Sequence, residues 1–183
     1  MKVQASNIDI MHLPAAPDYD ILYCDPPWDN KMVKFFQTVQ KRDTGVVTEN
    51  TIGDIINKLG ELADPRKPLY VEYSIYTYQA VIDILTKHGH RLTGKYELMM
   101  SYNKPYMILI FNTNVMPDPN LKGFNITTDI VKKHGNPVVF DPFAGLGLTA
   151  KAVVKGGGTY IGSELNAKRF AKFKAYADKV NAQ

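Results

Sequence analysis

Short apolar runs alternate with amphipathic stretches of helical period along this sequence, and that alternation points to an α/β fold. Strands that lie parallel need a crossover between them, usually a helix, whereas a hairpin turn serves an antiparallel pair. Strands are expected at Lys2–Ile10, Asp20–Cys24, Pro68–Ser74, Tyr96–Tyr102, Tyr106–Asn112, Val138–Phe140 and Thr159–Ser163, with Asn103-Lys104-Pro105 as a hairpin turn. Helices are expected at Thr51–Leu62, where Thr51 suits the N-cap, and at Thr77–His88, where Gly89 suits the stop. Further helices are expected at Ile126–His134, Leu148–Lys155 and Lys168–Val180. Residues 30–50 and 113–125 read as loops, the first polar and basic with little periodicity, the second rich in Pro, Gly and Asn.

A chain of 183 residues suits one domain with one core. There is no internal repeat and no apolar run of membrane-spanning length, and the first ten residues mix polar and apolar types, unlike a signal peptide. The single cysteine, Cys24, excludes an internal disulfide and agrees with a reducing cytoplasm. Four scattered histidines and one cysteine give no metal-ligand spacing, so no metal is expected. The net charge of +4 permits a nucleic-acid partner without requiring one.

Three constellations carry chemistry. In the first, a strand runs into Asp141-Pro142-Phe143-Ala144-Gly145-Leu146-Gly147 and a helix follows. Nucleotide-like ligands sit over such turns at the carboxyl ends of strands, and glycine lets the backbone approach them closely. The turn holds Asp141 where a phosphate site would want a lysine, so it favours a cationic group such as an ammonium or a sulfonium. In the second, Glu164 ends the next strand, where a carboxylate can accept both hydroxyls of a ribose.

The third is Asp25-Pro26-Pro27-Trp28, again at a strand end. An exocyclic amine on a base is a poor nucleophile because its lone pair is delocalised into the ring. A carboxylate and a main-chain carbonyl aimed at its two hydrogens draw the nitrogen toward tetrahedral geometry. Paired prolines fix such a carbonyl, and an aromatic that follows offers a stacking face for a base taken out of its helix. Asp25, the Pro26 carbonyl and Trp28 match these roles.

Together these residues resemble the DNA amino-methyltransferases of the N6-adenine and N4-cytosine group. Asp25-Pro-Pro-Trp28 is similar to their catalytic motif in its adenine form, Phe140–Gly147 to their cofactor motif, and Gly162–Asn166 with Lys168–Phe170 to the segment with the ribose acid. The catalytic motif precedes the cofactor motif, the order of the circularly permuted β class. The resemblance implies a permuted Rossmann-like fold, a mostly parallel seven-stranded sheet with one antiparallel strand. It implies S-adenosylmethionine as cofactor, held by Asp141, Pro142, Phe143, Ala144, Gly145, Gly147, Glu164 and Asn166, with Asn125 and Thr127 near its methionine end. It implies N6 of adenine in DNA as the acceptor, and Asn7 or Asp9 on the adenine side. The source implied is bacterial or phage, with the protein in the cytoplasm. Methylation of RNA or of a protein amide, and a silent cofactor-binding partner subunit, are the alternatives; a homodimer is compatible with all of them.

Two departures from the family stand out. Gly145-Leu146-Gly147 replaces the usual Gly-Ser-Gly, and the stretch from Thr113 to Asn125 is too short for a target-recognition domain, so little sequence specificity is expected. The basic stretch after Trp28 holds Lys31, Lys34, Lys41 and Arg42 interleaved with Phe35 and Phe36. It reads equally as a segment that tracks phosphates over a flipped base or as a solvated loop. The last helix reads as packed on the core through Phe170, Phe173, Ala177 and Val180, with a solvated basic face that includes Arg169.

Overall fold

The computed structural model describes residues 2–45, 47–99 and 105–183. One seven-stranded sheet organises them. Its strands are β1 (Val3–Ser6), β2 (Ile21–Cys24), β3 (Leu69–Tyr73), β4 (Leu92–Met99), β5 (Pro105–Phe111), β6 (Val138–Asp141) and β7 (Thr159–Ser163). The helices are α1 (Asn30–Thr44), α2 (Ile52–Leu62), α3 (Tyr78–Lys87), α4 (Phe124–Lys133), α5 (Leu148–Gly156) and α6 (Ala167–Asn181). The strand order is β1-β7-β6-β2-β3-β5-β4, and β5 alone runs against its neighbours. The expected α/β class and the single antiparallel strand are therefore present. The hairpin expected at residues 103–105 begins outside the described residues.

The middle of the sheet shows why the apolar runs are continuous. All four residues of β2 are buried, because helices cover both faces of a central parallel strand. Helix α2 starts as its sequence requires. The Thr51 hydroxyl accepts from the Asp54 amide and the Asp54 carboxylate accepts from the Thr51 amide, a reciprocal cap for two otherwise orphaned donors. Gly89, at φ +88°, follows α3 in the left-handed region where an L side chain is strained.

The stretch 30–50 corrects the loop expected there, since residues 30–44 form α1. Asp29 caps it by accepting from the Met32 amide at 2.7 Å, and Gly45, at φ 75°, ends it. Lys31, Lys34, Phe35 and Arg42 are thus exposed helix residues, not loop residues. Residues 112–123 form no helix or strand, and the loop expected over 113–125 ends two residues early because Phe124 and Asn125 open α4.

Chain direction sets the functional end of the sheet. From β6 the chain crosses through α5 to β7 on one side, and from β2 it crosses through α1 and α2 to β3 on the other. Strands β6 and β2 are parallel neighbours, with Ile21 opposite Val139 and Leu22 opposite Phe140. The order therefore reverses between them, and a crevice opens at their carboxyl ends.

Candidate active site

Three consecutive strands deliver the three constellations to that crevice. Strand β2 ends at Asp25, β6 ends at the glycine turn, and β7 ends at Glu164. The cleft above them has a volume of about 450 Å³, within the usual range of small-molecule sites. Asp25, Pro26, Pro27 and Trp28 line one wall; Pro142, Phe143, Ala144 and Gly145 line the floor; Glu164, Asn166 and Asp9 line the far side. Helix α1 roofs it with Met32, Val33, Phe36 and Gln40. Two stretches more than a hundred residues apart in sequence thus share one cavity.

At the Asp25–Trp28 corner, the Trp28 indole is buried and its N–H donates to Asp25 Oδ1 at 2.8 Å. Thr77 ties the corner to the turn after β3 by donating from its hydroxyl to the Trp28 carbonyl at 3.2 Å. Asp25 as a residue is exposed to the cleft, while protein atoms around its carboxylate partly exclude solvent. That exclusion pushes its carboxyl up to about 6, against the opposing pull of the Trp28 N–H and the Arg169 charge. Glu72, on β3, accepts from the Tyr23 hydroxyl, which in turn accepts from Thr127 Oγ1 at 3.0 Å. Burial, aided by the Asp25 charge, pushes the Glu72 carboxyl well up. An acid inside the otherwise apolar run Leu69-Tyr-Val-Glu-Tyr73 is a signal that sequence reasoning missed.

Gly145, at φ +57°, turns the backbone of the floor, and a side chain there would strike the Arg169 guanidinium. Asp141 stands beneath this turn rather than in the cavity wall. Its oxygens accept from the Phe143 amide and the Tyr160 hydroxyl, each at 2.8 Å. Burial pushes its carboxyl up to about 7. Asp141 therefore holds the turn from below and, contrary to expectation, does not line the cavity. Gly147, which leads into α5, also stays outside the cavity wall; its φ of +80° and the nearby Phe173 ring exclude a side chain.

Glu164 accepts from the Asn166 amide at 2.8 Å, and burial raises its carboxyl while this bond and the Arg169 charge oppose the rise. Asn166 caps α6 by accepting from the amides of Lys168 and Arg169. Arg169 is the residue that sequence reasoning misplaces. A long side chain on a helix leans toward the N-terminus, so from the first turn of α6 it reaches back over Gly145 into the cleft. Its guanidinium also lies 5.2 Å from the centre of the Phe36 ring on α1.

Other expected site residues lie apart from the cavity. Asn7 is exposed and donates to the carbonyls of Glu164 and Leu165 at 2.6 and 3.0 Å, so it braces the loop after β7 from outside. Asn125 is exposed and accepts from Lys155 at 3.2 Å. Thr127 is buried under the site, bonded to Tyr23. Lys31, Lys34, Phe35 and Arg42 occupy the outer surface of the α1 roof.

The roof is fastened at its far end. Asp43 accepts from Lys168 Nζ at 2.8 Å and from Asn166 Nδ2 at 3.2 Å, while Gln40 Oε1 accepts from Asn166 Nδ2 at 3.3 Å. These donors, Lys168 first, hold the Asp43 carboxyl down to about 2, so the tether persists through the neutral and mildly acidic range. Asp43→Ala should release the end of α1. Amide exchange across residues 30–44 is then expected to accelerate severalfold while α2 and α3 keep their protection. Unchanged exchange in α1 would show that the tether does not restrain the roof.

The fold can be set beside known structures. No protein-family model matches the chain, and no curated protein matches it in sequence. Among solved structures, the M1.HpyAVI–SAM complex superposes with a TM-score of 0.68 at 15% identity, covering 95% of this chain and 99% of that one. TTHA0409 of Thermus thermophilus, complexed with S-adenosyl-L-methionine, gives 0.61 at 12% identity, covering 96% and 93%. The PvuII DNA methyltransferase, cytosine-N4-specific, gives 0.61 at 9% identity, covering 95% and 86%. Across nearly its whole length, the chain has the fold of these proteins.

Proposed function

We propose that the protein transfers a methyl group from S-adenosylmethionine to the N6 amine of adenine in DNA. The carrying observation is the meeting of Asp25, Gly145 and Glu164 in one cleft at the reversal of strand order. The cleft fits the cofactor by its own chemistry. Glu164, buried at a strand end, suits the two ribose hydroxyls, and the Gly145 turn lets a ligand approach the backbone. Arg169 also lines the cavity and suits the carboxylate of the cofactor's methionine end. The bound cofactor supplies a methyl group made electrophilic by its sulfonium.

The chain's own residues would hold the amine. Asp25 and the Pro26 carbonyl accept its two hydrogens, drawing the nitrogen lone pair out of the ring, and the prolines keep the second acceptor in place. The exposed basic side chains on α1 suit contact with phosphates. The short connection from Asn112 to Gly123 supports weak sequence selection, with recognition left to loops or to a second subunit. Asp as the first residue of the catalytic corner favours adenine, although the PvuII enzyme among the structural neighbours acts on cytosine N4.

The test is incubation of the protein with labelled S-adenosylmethionine and, separately, unmethylated DNA, RNA or protein. Digestion and mass analysis of the nucleosides should find N6-methyldeoxyadenosine. N4-methyldeoxycytidine would reassign the base, label in RNA or protein would reassign the substrate, and cofactor binding without transfer to any of them would point to a partner subunit.

A further inference from the structure

The fourth residue of the catalytic corner does more than present a ring. Its indole is buried, with only 8% of the residue exposed, at the wall of the cleft. Its N–H lies 2.8 Å from Oδ1 of Asp25, whose side chain lines the cavity. The backbone on which the ring sits is itself anchored by Thr77. A phenyl ring at this position would pack similarly but has no N–H, and a phenol carries its donor at the far end of the ring.

We propose that Trp28 is a positioning residue. Its indole N–H fixes one oxygen of Asp25 and thereby directs the other toward the substrate amine. This rests on the proposed function for its purpose but not for its geometry. A carboxylate has two oxygens and rotates about its last bond. Pinning one oxygen removes that freedom before substrate arrives, and a donor to the ionised form also favours the charge the amine requires. Other ionisable groups act on Asp25 and are left in place by a change at Trp28. They are Arg169 from α6, Glu72 from β3, Asp141 from β6, Tyr106 from β5 and the adjacent Cys24.

The chain contains one tryptophan, which makes the test clean. Growth of a tryptophan auxotroph on benzothienylalanine replaces the indole N–H with sulfur in a ring of nearly the same shape. With that protein, kcat should fall about tenfold or more, as expected for loss of a hydrogen bond to a charged group. The KM for S-adenosylmethionine should hold. The acid limb of the pH profile should move to higher pH, because loss of a donor to the carboxylate raises its pKa.

A second readout needs no activity. The single indole ¹⁵N–¹H resonance of the natural protein should shift with pH as Asp25 titrates and should be displaced in Asp25→Asn. An indole resonance indifferent to both, or an analogue protein with unchanged kcat and acid limb, overturns the assignment. If the natural protein methylates no substrate, the proposed function fails, while the indole resonance still decides this contact.

Discussion

Asp25→Ala is expected to reduce methyl transfer by roughly 10²–10³-fold while leaving cofactor affinity nearly unchanged. The magnitude is that of removing one preorganised polar contact to the charge that develops during reaction. The asymmetry follows from the place of Asp25 at the end of β2, across the cleft from Glu164 at the end of β7. Titration calorimetry with S-adenosylhomocysteine and single-turnover transfer measure the two quantities separately. Equal losses in both would mean that Asp25 holds the cofactor rather than the amine.

The same residue fixes the pH dependence. Partial burial of its carboxyl pushes it up to about 6, against the Trp28 N–H and the Arg169 charge. The acceptor role requires the ionised form, so activity should rise with pH through that region and be lost as pH falls through it. An ordinary aspartate, with pKa near 3.9, would keep the enzyme active about two pH units lower. A single-turnover rate that stays flat from pH 7 to pH 5 would contradict the crowding inferred around Asp25.

Glu164→Ala should have the converse effect, with S-adenosylhomocysteine binding about 10–100-fold weaker, the usual range for hydrogen bonds to a charged group. Part of the loss is indirect, because the Asn166 amide loses its acceptor and Asn166 both caps α6 and fastens α1. Calorimetry reads the affinity, and thermal unfolding shows whether the helix cap has suffered. Wild-type affinity in the variant would remove Glu164 from the cofactor site.

Much of this is legible in the sequence, for identifiable reasons. Strands β2 and β6 announce themselves because their buried runs are apolar up to the Asp25-Pro-Pro-Trp28 and glycine turns written at their ends. That β2 and β6 are neighbours is a long-range fact with no local signature; the order of motifs and the family resemblance supply it. Helix α1 escapes because Met32, Val33, Phe36 and Val39 are spaced for a helix but scattered among lysines. The Asp29 cap and the Gly45 stop mark its ends more clearly than its periodicity does.

Direction is what sequence reasoning fails to give. Helical position alone puts Arg169 on a solvated face, yet the backward lean of a long side chain carries it over Gly145. Asp141 has the charge expected of a ligand, but the Phe143 amide and the Tyr160 hydroxyl already claim its oxygens. Thr127, one helix away, has its hydroxyl turned inward to Tyr23. In each case the residue type is readable from the chain, and its partner can be known only from three-dimensional packing.

The most direct measurement is a crystal structure with sinefungin, which carries an amine where S-adenosylmethionine carries its sulfonium methyl. The ribose should lie against Glu164 and the amine should face Asp25 within hydrogen-bond reach. Sinefungin bound outside the cleft, or with its amine turned away from the Asp25 corner, would contradict the shared site on which the proposed reaction depends.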